Sequence, residues 1–149
     1  MCRVFGCVAA EPVSIRHELL DAKNPMIRQS EDHDSGWGMA VYERAEGAEP
    51  RLVRFPEAAH MDGDFRQASD LRGRIFNVHV RRATMGPLSP ENTHPFCLGS
   101  YTLGHNGTVV RYPRLRSSRR SSGSSSSSAS APCCADSTGT WCHASPASS

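Results

Sequence analysis

The sequence predicts an α+β domain built from layered sheets with few helices. Three observations carry this. Short β-branched or aromatic runs recur along the first 110 residues, few helical patterns interrupt them, and no apolar run approaches the ~18 residues of a membrane span. At 149 residues and 38% hydrophobic content the chain is sized for one domain rather than two.

The elements follow in order. Cys2 to Ala9 is a short apolar run rich in β-branched and aromatic residues, read as a strand. Pro12-Val13-Ser14 then opens a helix, with Ser14 as N-cap and Ile15, Leu19 and Leu20 on one face. After the Ser35-Gly36 turn, Trp37 to Tyr42 reads as a second strand and Arg51 to Phe55 as its hairpin partner. The polar Glu46-Gly47-Ala48-Glu49-Pro50 stretch connects them. A short helix is predicted over Asp64 to Leu71 and a strand over Arg74 to Val80, where Ile75, Asn77 and His79 alternate with apolar neighbours. Tyr101 to Leu103 ends another strand and runs into the Gly104-His105-Asn106-Gly107 turn. No internal repeat is visible.

The net charge of +2 conceals a division. Up to Val110 there are 12 basic and 14 acidic residues; from Arg111 onward there are 5 and 1. The body is therefore mildly acidic, with its basic residues interleaved among Asp and Glu, and no nucleic-acid partner is expected for it. Beyond Arg114 lie 14 serines, one Leu, one Trp and no Ile, Val or Phe. Such a segment cannot offset an ordering cost of ~1–2 kcal/mol per residue, so residues 113–149 are expected to form a disordered tail. Three origins stand open: an Arg/Ser-rich RNA-binding or phosphorylated tail, a plain flexible tail, or the product of a shifted reading frame in a GC-rich gene. The last is favoured by one Lys against 16 Arg and by the Ser, Ala, Arg, Pro, Cys and Gly that shifted GC-rich codons give.

The opening Met1-Cys2-Arg3-Val4-Phe5 lacks the charged and apolar regions of a secretory signal, so a cytoplasmic protein with free thiols is expected. Cys7 and Cys97 read as small buried hydrophobes. The spacing of Cys133-Cys134 and Cys142-His143 matches no zinc module, and Asp32-His33-Asp34 reads as a polar loop. His79, His94 and His105 lie on separate segments and read as pocket scaffolding. No metal and no cofactor are expected.

Taken singly, the remaining features are bland. A cysteine at position 2 is usually just an early residue, Arg81-Arg82 a solvated pair, and Asn106-Gly107 a tight turn. Together and in order, five segments are distinctive: Met1-Cys2-Arg3-Val4-Phe5-Gly6, Asp34-Ser35-Gly36-Trp37-Gly38, His79-Val80-Arg81, Asn92-Thr93-His94-Pro95-Phe96 and His105-Asn106-Gly107-Thr108. They resemble the class II glutamine amidotransferases, whose nucleophile is an N-terminal cysteine. The stand-alone bacterial subfamily that includes the ergothioneine-pathway amidohydrolase is the nearest in pattern. The resemblance covers residues 1–112 and implies an N-terminal-nucleophile αββα sandwich.

It also implies chemistry. Removal of Met1 leaves thiol and free α-amine on Cys2, and an α-amine ordinarily titrates at ~7.7–8.0, where it can serve as general base. The thiolate attacks the side-chain amide carbon of glutamine or of a γ-glutamyl amide, ammonia leaves, and water hydrolyses the resulting thioester. By resemblance the oxyanion is held by the Asn106 side-chain amide and the Gly107 N–H, and Arg81 grips the substrate α-carboxylate. Thr84 and His94 line the pocket.

The pattern also departs from the better-known biosynthetic members, which carry Trp and His where this chain has Arg82 and Met85. The family places an acidic residue for the substrate α-ammonium, and further strands and helices, beyond the oxyanion turn. Here only Asp136 follows Arg111, so the sandwich is expected to be incomplete. An amidohydrolase is the leading expectation. A truncated, non-catalytic remnant or glutamine-binding module is the alternative, and RNA binding through the tail is a third.

Overall fold

The computed structural model describes residues 1–44 and 47–107. The tail from residue 113, with its cysteines and Asp136, lies outside the described residues, as does Thr108.

The order of elements is β1 (Arg3–Ser14), α1 (Arg16–Leu20), α2 (Met26–Gln29), β2 (Trp37–Tyr42), β3 (Arg51–Phe55), α3 (Gly63–Ala68), β4 (Arg72–Val80), a 3₁₀ turn (Pro90–Asn92), β5 (Phe96–Leu98) and β6 (Tyr101–Leu103). A four-stranded antiparallel sheet runs β1-β4-β2-β3, and β5 and β6 form a separate two-stranded sheet. This is the expected α+β class. Helices lie on one face of the main sheet and the second sheet on the other, giving helix, sheet and sheet layers among the described residues.

Strand alternation assigns the faces. Trp37, Met39 and Val41 of β2, Val53 of β3, and Phe76, Val78 and Val80 of β4 pack with Ile15, Leu19, Met26, Phe65 and Ala68 from the helical layer. Trp37 is fully buried, edge-on to Phe65 at 5.0 Å between centroids, and its indole N–H donates to Asp62 Oδ2 at 2.7 Å. The other Asp62 oxygen accepts the Asp64 N–H at 2.9 Å and caps α3. One carboxylate thus satisfies a buried donor and a helix end, each contributing on the order of 1 kcal/mol.

The opposite face carries Val4, Gly38, Asn77 and His79, and it receives the β5–β6 hairpin. Tyr42 Oη lies 2.9 Å from the Ser100 carbonyl and 3.0 Å from Thr102 Oγ1, and Asn77 Nδ2 lies 3.4 Å from the same hydroxyl. Central β2 is consequently buried on both faces as far as Val41. Gly38 is required there, because the His94 carbonyl occupies the space that a Cβ would take. On the hairpin's outer side Leu98, Tyr101 and Leu103 are exposed.

Several boundaries differ from the sequence reading. β1 continues to Ser14 across an irregularity between Val8 and Val13. Pro12, without an N–H for the ladder, falls in that irregular stretch. Ser14 therefore closes a strand rather than capping a helix, although its hydroxyl still accepts the Arg16 N–H at 3.3 Å. The first helix is correspondingly short, with Ile15 at its N-cap position. α3 starts one residue earlier than expected and stops at Ala68, and β4 begins at Arg72. Cys7 and Cys97 are half-buried rather than buried: Cys7 lies on edge strand β1, and Cys97 on a three-residue strand with its thiol 3.3 Å from the Gly99 carbonyl.

Candidate functional site

The register of β1 against β4 assembles one end of the second face. Arg3 pairs with Val80, Val4 with His79, and Gly38 of β2 with His79 from the other side. Extending the first pairing by one residue places Cys2 beside Arg81. The contact is direct: the Arg82 N–H reaches Cys2 Sγ at 3.4 Å. Cys2 is half-buried, while Met1 ahead of it is 79% exposed.

Arg81 is buried, at 6% exposure. Its N–H donates to the Gly36 carbonyl at 2.7 Å, and its carbonyl accepts the Ser35 N–H at 3.0 Å, which fixes the loop ahead of Trp37 against the end of β4. The guanidinium donates to the carbonyls of Met85 at 3.2 Å, Pro87 at 3.3 Å and Ser35 at 3.4 Å. Gly86, at φ +83°, takes the left-handed turn between the first two of these carbonyls. Among the described residues no carboxylate pairs with this buried cation. Thr84 sits exposed on the same loop.

His79, His94 and His105 also converge here. The His79 and His94 rings are 4.5 Å apart, and those of His94 and His105 6.2 Å. Their planes are tilted by 36° and 39° in these two pairs, and no group of three metal-ligating side chains is found among the described residues. His79 Nε2 lies 3.2 Å from the His105 carbonyl, so Nε2 carries the proton and donates. Burial, then the neighbouring His94, pushes the His79 pKa down to about 4. His94 is likewise lowered to about 4, first by burial and then by His105 and Arg81. Both rings are neutral at pH 7.

Asn106 and Gly107 follow as exposed residues at the end of this cluster. Cys2, Arg81, Thr84, His94, Asn106 and Gly107 thus lie on segments that meet at one end of the main sheet. His33, from the Asp32-His33-Asp34 loop, is buried elsewhere with Nδ1 2.8 Å from the Gln29 carbonyl. An open cleft between hairpin and sheet, lined by Tyr42, Ile75, Asn77, Tyr101 and Thr102, is separate from this end. Sequence reasoning did not single out His79 as a bonded residue or Gly38 as a packing requirement. The alternation that turns His79 away from Val78 and Val80 was the available signal.

A buried arginine thus lies next to the residue whose N–H reaches an early cysteine, with a histidine cluster close by. The sequence pattern of the class-II glutamine amidotransferases matches residues 1–134, and the chain belongs to that family. It is 30% identical to an uncharacterized protein of Methanocaldococcus jannaschii over 121 residues, covering 77% of this chain and 32% of that one. It is also 32% identical over 120 residues to a glutamine–fructose-6-phosphate aminotransferase of Aeropyrum pernix, covering 78% of this chain and 18% of the enzyme. With the Sulfolobus acidocaldarius aminotransferase of the same name it shares 42% identity over 53 residues, covering 34% of this chain and 9% of that one. The match thus spans a third or less of these relatives. No helix among the described residues is long and apolar enough to cross a membrane.

Proposed function

We propose that the chain carries the glutamine-hydrolysing half-reaction of its family, as a stand-alone amidohydrolase akin to the ergothioneine-pathway type. The observation that carries the reading is the Cys2 thiol held at the Arg82 N–H, one residue along from a buried Arg81 that no described carboxylate neutralises. A buried cation without an acidic partner is costly to maintain and favours an anionic ligand. The α-carboxylate of glutamine, or of a γ-glutamyl amide, supplies that charge.

After loss of Met1 the α-amine of Cys2 takes the thiol proton. The thiolate adds to the amide carbon, and the new oxyanion is met by the Asn106 side-chain amide and the Gly107 N–H. The amine returns the proton to the leaving nitrogen, ammonia departs, and a thioester remains. Water, deprotonated by the same amine, then releases glutamate. Thr84 and His94 border the substrate. No metal or cofactor takes part, and a thiol nucleophile suits the reducing cytoplasm. In this reading residues 1–112 are the amidotransferase portion, and residues 113–149 a low-complexity tail.

The test is release of ammonia and glutamate in equal amounts from glutamine by the purified chain, abolished in Cys2→Ala. Calorimetric binding of glutamine without ammonia release would instead mark a glutamine-binding module.

A further inference from the structure

The geometry points to His79 as a positioning residue that sets the oxyanion turn, acting through the His105 carbonyl rather than by touching substrate. The inference rests on the amidohydrolase reading for its kinetic consequence, but the contact behind it stands on its own.

His79 is fully buried near the end of β4, at one end of the second face, paired across strands with Val4 and Gly38. Its Nε2–H donates to the His105 carbonyl oxygen at 3.2 Å. That carbonyl belongs to the peptide unit whose N–H is Asn106's. Because a peptide unit is planar, fixing its oxygen fixes the plane through which the chain enters Asn106 and Gly107. The turn is held one residue earlier as well, since a Cβ at Gly104 would meet Asn77 Oδ1 at 2.9 Å and Val4 Cγ1 at 3.5 Å. The segment leaving β6 is therefore clamped onto the main sheet at two consecutive residues.

The His79 ring cannot easily rotate out of this role. His94 stacks on it at 4.5 Å, and the His94 backbone is pressed against Gly38, where no side chain fits. Phe96 closes the far side of His94 at 4.2 Å. His79 Nδ1 is buried without a partner, so a single bond, at Nε2, orients the imidazole. A buried ring held for packing alone would not need to be histidine. Placing a donor under the one carbonyl that precedes two oxyanion groups is what an imidazole adds here.

The experiment uses the full 149-residue chain and two variants. His79→Phe keeps the ring and loses the donor; His79→Gln keeps a donor near the Nε2 position. Phe is expected to lower kcat for glutamine by about 10- to 100-fold with KM changed less than about threefold, since outright removal of one oxyanion donor costs about 10²–10³ and a misplaced donor less. Gln is expected to recover most of the loss. Amide ¹⁵N and ¹H shifts of Asn106 and Gly107 should move in His79→Phe and return toward wild type in His79→Gln. Equal kcat loss in both folded variants, a rise in KM without loss of kcat, or unmoved amides in His79→Phe would overturn the assignment. If His79→Phe fails to fold, His79→Gln decides: retained kcat and amide shifts support the role, and their loss in a folded protein refutes it. A wild-type chain that releases no ammonia removes the amidohydrolase reading, and the amide shifts then test the anchor by themselves.

Discussion

Cys2 and Arg82 stand 80 positions apart in sequence, yet the Arg82 backbone N–H lies 3.4 Å from the Cys2 sulfur. The contact follows from antiparallel pairing of the first strand with the fourth, and it leaves the thiol next to the residue that follows buried Arg81. Nothing in the local sequence of either segment specifies it. Strand order does.

The first prediction concerns processing. A retained Met1 would convert the Cys2 α-amine into an amide with no basic lone pair, so the active chain is expected to have lost one methionine by intact-mass spectrometry. Peptide-level labelling with a glutamine-mimicking electrophile should mark Cys2 ahead of Cys7 and Cys97. A chain that keeps Met1 and still hydrolyses glutamine would rule out the amine as base.

Arg81→Lys preserves charge but replaces a planar fork by a single ammonium that cannot serve three carbonyls and a carboxylate together. The KM for glutamine is expected to rise at least tenfold, about 1.4 kcal/mol of binding. The preference for glutamine over 4-aminobutanamide, which lacks the α-carboxylate, should fall with it. An unchanged preference would place the carboxylate elsewhere.

Acid should weaken the fold through His79. Its folded pKa is about 4 against an ordinary 6.5, so the unfolded chain takes up the proton first as pH falls. The contribution is whole above pH 6.5 and is lost progressively down to about pH 4, an effect of about 3 kcal/mol at most. His94, depressed in the same direction, adds to the slope. Denaturant midpoints measured at pH 7.5, 5.5 and 4.5 should decline in order, and less steeply in His79→Phe. A flat series would contradict the buried, neutral pair.

Gly38→Ala tests the seam between the two sheets. The added methyl meets the His94 carbonyl at less than contact distance and Arg54 Cγ at 3.0 Å. Overpacking of this kind costs about 1–3 kcal/mol, visible as a lowered thermal midpoint. Gly47→Ala is a control for space, since nothing lies within 4 Å of its site, although its φ of +67° carries a strain of its own. A smaller midpoint change in Gly38→Ala than in Gly47→Ala would mean that His94 is not seated as described.

Much of this arrangement was legible in the sequence for definite reasons. Trp37–Tyr42 and Arg51–Phe55 are bounded by turn residues and carry β-forming side chains, and they are β2 and β3 to the residue. The first helix was placed too early because Ser14 looks like a cap, whereas its backbone is held in the ladder against Arg72. β5 escaped notice because three residues carry no periodicity; what defines it is the hairpin partner and the Tyr42 hydroxyl beneath. α2, four residues from Met26, is likewise too short to show a helical repeat. Motif order pointed to the segments that meet at this end of the sheet, but the burial of Arg81 and the His79–His105 bond arise from side chains meeting across strands. Local sequence does not encode such contacts.

Among the described residues the first strand is also an edge strand, bonded to β4 alone, and Cys2 precedes its first paired residue. The thiol's address is therefore a fraying end. Amide exchange should be fast at Arg3 and slow at Val78 and Val80, with the gradient running toward Cys2 and Arg81. A ligand bridging Arg81 and Cys2 would act as a rivet across that seam, raising protection at Arg3 and Phe5 before it altered anything in the helical layer.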